Sequence, residues 1–230
     1  RRNRAMPDVM EPGSTVKPFV VAAALEQGLV GPTTPIDTSP GTLKVGANQV
    51  KDIHNYGRLD TTSVITKSSN VGVVKLAQRM KRETLWNLYD DVGFGKPTGV
   101  QFPGEVTGRL RDHKRWSDFE HATQAFGYGL SVTPLQLARA YSMLAADGVL
   151  RPVSLLKLDE APPGEQVLSA KTARQVRAMM ETVVSPKGTA KQAVIEGYSV
   201  AGKTGTAKKS SGKSGYAAGR YQAVFAGMAP

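Results

Sequence analysis

The chain predicts an α+β domain, and three observations carry that reading. Helical periodicity fills the middle of the sequence, two extended segments close it, and 230 residues suit one domain with at most a small appendage. No internal repeat is visible.

In chain order, residues 14–28 read as a helix, with Val16, Phe19, Val20, Ala23 and Ala24 available for burial and Gly28 as the stop. Residues 31–60 are rich in Pro, Gly and Thr and hold short extended pieces, "TLKVG" and "QVKDI". A helical pair follows in "TTSVITKSSNVGVVKLAQRM", then a helix in "RETLWNLYDDVG". "TPLQLARAYSMLAADG" runs from a threonine cap to Gly148, and "SAKTARQVRAMMETVV" starts on Ser169. The tail reads as a β-hairpin over about 197–229, "GYSVAGKTGTA" and "RYQAVFAGMA" flanking a Lys/Gly/Ser-rich loop at 208–220. The whole chain thus reads as part of one domain, with a helical subdomain over about 30–185.

Composition narrows the chemistry. The absence of cysteine excludes disulfides, thiol catalysis and thiolate-bound metal, while leaving the compartment open. His54, His113 and His121 are too scattered to suggest a metal site. The net charge of +11 favours anionic partners. No apolar run approaches the roughly 20 residues of a membrane span. The opening "RRNRAM" carries no signal peptide, so the chain reads as an internal piece of a longer protein.

The stretch "EPGSTVKPFVVAAALEQG" raises the catalytic question. Ser14 and Lys17 are three residues apart at a helix start, a spacing that puts both on one face within hydrogen-bond reach. A serine hydroxyl needs a base, and a lysine serves only when burial or a neighbouring cation favours its neutral form. A second cation is therefore expected. Pro18 lacks an amide and crowds the Ser14 carbonyl, so the first turn should bend and free the Ser14 N–H toward a cleft. "SLLK" at 154–157 and "SSGK" at 210–213 share the spacing without opening a helical pattern, and Ser14 could itself be only an N-cap. Two further motifs add weight. Ser68-Ser69-Asn70 falls between helical stretches, where side chains project from a turn. Lys203-Thr204-Gly205-Thr206 lies in the last strand pair, where Lys203 supplies the cation and Gly205 clears room for a substrate backbone. Lys213-Ser214-Gly215 in the polar loop reads as a linker decoy.

With these motifs together, the chain resembles the penicillin-recognising serine enzymes. "EPGSTVKP", "KSSNVG", "FGYGLSVTPLQLARAY" and "AGKTGTAKK" are similar to the transpeptidase domain of class B penicillin-binding proteins, and Asn70 favours the septal, FtsI-type members. The resemblance implies an antiparallel sheet flanked by helices, shared with serine β-lactamases and incomplete here at both ends. It implies that Ser14 attacks the penultimate D-Ala carbonyl of a D-Ala-D-Ala stem peptide, with Lys17 as base. Ser68 would relay a proton to the leaving D-Ala, Lys203 would hold the local field and Asn70 would grip the substrate amide. Ser14 and Thr206 N–H groups would form the oxyanion hole, and Thr204 and Thr206 would bind the terminal carboxylate beside Lys203. Phe126 and Tyr128 stand at the pocket rim, where the family's "YGYG" pair has one more hydroxyl. No cofactor or metal is implied. The implied partners are peptidoglycan stem peptides, β-lactams and membrane proteins of the division machinery. The implied location is the bacterial inner membrane with this domain in the periplasm, through an anchor outside this chain.

Rival readings share part of the pattern. A class A β-lactamase would need a deacylating glutamate, and "ETLWN" at 83–87 comes too soon after Ser68 and reads as a helix burying Leu85 and Leu88. Class D enzymes carry an aliphatic residue in place of Asn70. A D,D-carboxypeptidase or a non-catalytic penicillin-sensing domain would carry the same motifs. A nucleic-acid role for "AKKSSGKSG" lacks aromatic interleaving and a reading motif, so no nucleic-acid partner is expected.

Overall fold

The computed structural model describes residues 3–210 and 216–229. A 3-10 turn at Gly13–Val16 leads into α1 (Lys17–Glu26). Four short strands follow: β1 (Pro35–Asp37), β2 (Thr42–Val45), β3 (Asn48–Lys51) and β4 (Arg58–Asp60). Then come α2 (Thr61–Thr66), α3 (Asn70–Ala77), α4 (Arg82–Asp91), α5 (Asp118–Gln124) and α6 (Pro134–Ala145). The strands β5 (Val149–Leu150) and β6 (Glu165–Gln166) precede α7 (Ala170–Val184), and β7 (Ala201–Ser210) and β8 (Tyr216–Met228) close the chain.

The strands form four antiparallel pairs, β1–β4, β2–β3, β5–β6 and β7–β8. The last is the longest, with Ala201 opposite Met228 and Thr206 opposite Ala223. Both of its strands reach into the stretch expected to be loop, and the decoys at 211–215 lie outside the described residues. The α+β class stands.

Helix α1 is the hub. Phe19, Val20, Val21, Ala22 and Ala24 are fully buried, so the helix is apolar on all sides rather than on the single face the sequence suggested. It packs against α3, α4 and α7. Each fully buried Val or Phe contributes roughly 1.5–3 kcal/mol, which anchors α1 in the core. The Phe19 ring meets Phe94 and Tyr141 edge-on at 5.9 and 5.6 Å. Thr133 and Ser169 cap α6 and α7 as their sequence positions predict. Helix α7 lies against β7, and β7 against the 3-10 turn, so the hairpin is held on the segment that carries Ser14.

Candidate active site

The sequence predicted a helix from residue 14, whereas α1 begins at Lys17. The cause is Pro18. In an α-helix its amide would bond the Ser14 carbonyl; proline has none, and the Lys17 N–H takes that acceptor one residue early, giving 3-10 geometry. The expected bend is therefore present. Thr15 Oγ1 donates to the Pro12 carbonyl at 2.7 Å, and buried Tyr141 on α6 donates its hydroxyl to the Thr15 carbonyl at 2.8 Å. Ser14 is half-buried and caps nothing: the residue before the turn is Pro12, with no side-chain cap bond. Among the described residues no side-chain hydrogen bond joins Ser14 Oγ to Lys17 Nζ, contrary to the expectation from their spacing.

Lys17 turns instead to the second motif. Its Nζ donates to the Ser68 carbonyl at 2.6 Å, to Asn70 Oδ1 at 2.7 Å and to Ser68 Oγ at 3.2 Å. Lys203 reaches the same hydroxyl from the other side, donating to Ser68 Oγ at 2.9 Å and to the Thr204 carbonyl at 3.0 Å. Both lysines are wholly buried. Burial above all, and then the field of Lys203, lowers the Lys17 pKa well below the usual lysine range, with Asp52 opposing. Burial brings Lys203 down to about 7. The Ser68 hydroxyl thus bridges two amines whose pKa values are both lowered.

The Ser-Ser-Asn turn divides its labour. Ser69 is the helix cap, accepting from the Gly72 N–H at 2.8 Å, while Ser68 projects into the site. Ser68 takes a left-handed φ of 57°, a costly conformation for a serine and one that often marks a functional position. Sequence reasoning missed what holds it. Asp52, just past β3, accepts from Ser69 Oγ at 2.6 Å, from the Asn70 N–H at 2.5 Å and from the Val71 N–H at 3.1 Å. Asn70 Nδ2 donates to the Lys51 carbonyl at 2.9 Å. No motif announces Asp52; an acidic residue closing a short strand ahead of a Ser/Asn-rich helix start was the only available signal.

On β7, alternate residues face opposite ways. Lys203 and Gly205 point inward. A Cβ on Gly205 would stand 2.8 Å from both the Pro12 carbonyl oxygen and Thr15 Cγ2. The room that glycine provides is therefore taken by the 3-10 turn that carries Ser14, which corrects the expectation that it makes way for a substrate backbone. Thr204 and Thr206 face the other side; Thr206 is exposed, and Thr204 Oγ1 shares a hydrogen bond of 2.8 Å with Thr189 Oγ1. The Phe126 and Tyr128 rings pair at 5.7 Å on the loop after α5. That loop is zipped to the segment that carries Ser14. Gly13 N–H donates to the Gly127 carbonyl at 3.1 Å, Gly129 N–H to Glu11 Oε1 at 2.9 Å, and Met10 and Val132 exchange backbone bonds of 2.9 Å.

The decoys separate cleanly. Ser154–Lys157 lies in an exposed loop where Ser154 Oγ bonds only the backbone of Leu156. Glu83–Asn87 sits within α4, with Leu85 and Leu88 buried as expected. Among the described residues no acidic or histidine cluster could hold a metal ion, and no helix is long and apolar enough to cross a membrane.

A half-buried serine three residues ahead of a buried lysine, with a second serine linking that lysine to another, is an arrangement that can carry serine acyl transfer. The chain belongs to the penicillin binding protein transpeptidase domain family, which it matches over residues 1–230. It is 45% identical over 231 residues to the probable peptidoglycan D,D-transpeptidase PenA of Neisseria meningitidis, and 46% identical over 229 residues to the peptidoglycan D,D-transpeptidase FtsI of Escherichia coli K12. The alignments take in 100% of this chain, but it spans only 39% and 38% of those relatives' lengths. The transpeptidase domain of penicillin-binding protein 3 from Burkholderia pseudomallei superposes with a TM-score of 0.96 at 47% identity, covering 100% of this chain and 70% of that one.

Proposed function

We propose that this chain performs D,D-transpeptidation, cross-linking peptidoglycan stem peptides through an acyl-enzyme on Ser14. The observation that carries the reading is the Ser68 hydroxyl held between Lys17 and Lys203 at 3.2 and 2.9 Å, with Ser14 one turn before Lys17. Neutral Lys17 takes the Ser14 proton as Oγ attacks the penultimate D-Ala carbonyl. The C–N bond breaks, and the departing D-Ala amine receives a proton through Ser68, restoring neutral Lys17. An amine from a neighbouring stem peptide then attacks the ester and loses its proton to the same base; the ester C–O bond breaks and Lys17 returns that proton to Ser14 Oγ, freeing the serine and leaving Lys17 neutral.

Two features support the placement of the reacting carbonyl. A Cβ built on Gly13 would stand 3.3 Å from the Thr206 carbonyl oxygen and 3.5 Å from its nitrogen, so the residue before Ser14 lies against the Thr206 backbone, which suits an oxyanion hole shared by the two segments. Exposed Thr206 and half-exposed Thr204 share one face of the strand, suited to a terminal carboxylate near Lys203. Asn70, with its Oδ1 on Lys17 and its Nδ2 on a backbone carbonyl, orders the base, and its second amide hydrogen and second Oδ1 lone pair are left for a substrate amide. A role in division, an anchor in the inner membrane and a periplasmic position belong to the same proposal, as what the likeness of the motifs to the septal members implies.

Intact-mass measurement after incubation with a penicillin tests the reading. A stable adduct on the wild type, absent from Ser14→Ala, is expected. An adduct that turns over rapidly would mean a β-lactamase, and no adduct on the folded protein would overturn the catalytic reading. Transfer to an added amine acceptor, rather than to water alone, separates a transpeptidase from a D,D-carboxypeptidase.

A further inference from the structure

We propose that Asp52 is a positioning residue for acylation, its carboxylate clamping the Ser68–Asn70 turn onto Lys17. The inference rests on the reading of Ser14 as nucleophile and Lys17 as its base. Asp52 touches neither of them. It acts through three hydrogen bonds to consecutive residues, from the Ser69 hydroxyl and from the Asn70 and Val71 N–H groups, and charge-assisted bonds of this kind are the stronger class.

The clamp has two geometric consequences. It fixes the first turn of α3, and with it the left-handed Ser68 whose carbonyl and hydroxyl both face Lys17. It also sets the Asn70 side chain, whose amide nitrogen is taken by the carbonyl of Lys51, the residue before Asp52, so that Oδ1 is left facing Lys17. Without the clamp, a serine in a disfavoured conformation has little reason to stay there.

A third consequence is electrostatic. The charged groups acting on Lys17 are Lys203 from β7, which drives its proton off, and Asp52 from the end of β3, which holds it on. Removing the negative charge therefore lowers the pH at which Lys17 becomes a base. A residue that merely held the fold would not move that pH.

The test is the rate of acylation by a fluorescent penicillin on the whole protein, from acid to alkaline pH, with Ser14→Ala as the blank. Asp52→Ala is expected to slow acylation roughly 10²-fold, the scale of an ångström-sized misplacement at a catalytic centre. Asp52→Asn keeps the shape, and is expected to slow it about tenfold while moving the acidic limb of the profile to lower pH. Wild-type rates and an unmoved limb in both variants would overturn the inference. So would rates that fall only in step with melting temperature, with the limb in place. If both variants fold poorly, Ser69→Ala, which deletes the hydroxyl bond to the carboxylate, should slow acylation without moving the limb; an unchanged rate would overturn the clamp. A wild type that is not acylated at all would instead refute the underlying reading of Ser14.

Discussion

Replacing Lys203 with methionine should change how stability depends on pH. In the folded chain burial brings Lys203 from an ordinary lysine value of 10.5 to about 7. Between those two values the unfolded chain holds a proton on this residue and the native state does not. Stability of the wild type therefore rises with pH by about 1.4 kcal/mol per unit across the window. The cost of burying the amine is complete below about pH 7 and gone above about pH 10.5. From about pH 7, where the folded group is half titrated, to about pH 9, the gain is about 2 kcal/mol. Lys203→Met has no such group, and its neighbour Lys17 loses a repelling cation, which flattens the curve further. Urea denaturation of both proteins at the two pH values should show the wild type gaining about 2 kcal/mol on the variant. Parallel stability curves would refute the reasoning, for they would mean that Lys203 stays an ordinary ammonium and that the site works around a permanent cation.

Three other outcomes are expected. Tyr141→Phe leaves the buried Thr15 carbonyl without its 2.8 Å donor and should cost about 1–3 kcal/mol in urea denaturation, with slower acylation as the nucleophile turn loosens. Gly127→Ala places a methyl on the Gly13 carbonyl at a backbone φ of 85°, so acylation should fall at least tenfold even in molecules that fold, read by penicillin labelling of the soluble fraction. His121 is buried against the Trp116 ring, and burial brings its pKa from 6.5 to about 4. The unfolded chain is protonated there first, so stability is lost as pH falls through that window. His121→Phe should show a shallower drop in melting temperature over the same range.

The three motifs were legible because each is a short run of residues with a physical reason for its spacing. Pro18 announced the bend at Ser14, and Thr133 and Ser169 announced two helix starts. What escaped was set by contacts between distant parts of the chain. The β1–β4 pair joins Pro35 to Asp60 through three-residue strands too short to show periodicity. Helix α5 begins with a capping box, Ser117 to Glu120, that the sequence displays but its brevity conceals. The Gly205 pattern was read correctly as a close approach and assigned to the wrong neighbour. Ser14 and Lys17 share a helical spacing, yet the lysine's acceptors come from a turn some fifty residues onward, because the burial of α1 points its amine there. Asp52 matters for the same reason.

The backbone zipper between residues 10–13 and 127–132 couples two segments that no motif links. Gly13, the residue before Ser14, takes its place partly from the Gly127 carbonyl, and Glu11 is fastened to Gly129. The reach of the serine is therefore a joint property of both segments. Changes at the Phe126–Tyr128 loop act on the nucleophile through its backbone as well as on whatever occupies the rim. A collection of variants selected for altered inhibitor reactivity would, on this geometry, divide into two groups. Those around Ser14 and β7 would change the chemistry directly. Those in 126–132 would retune the same serine from behind, leaving every side chain of the three motifs intact.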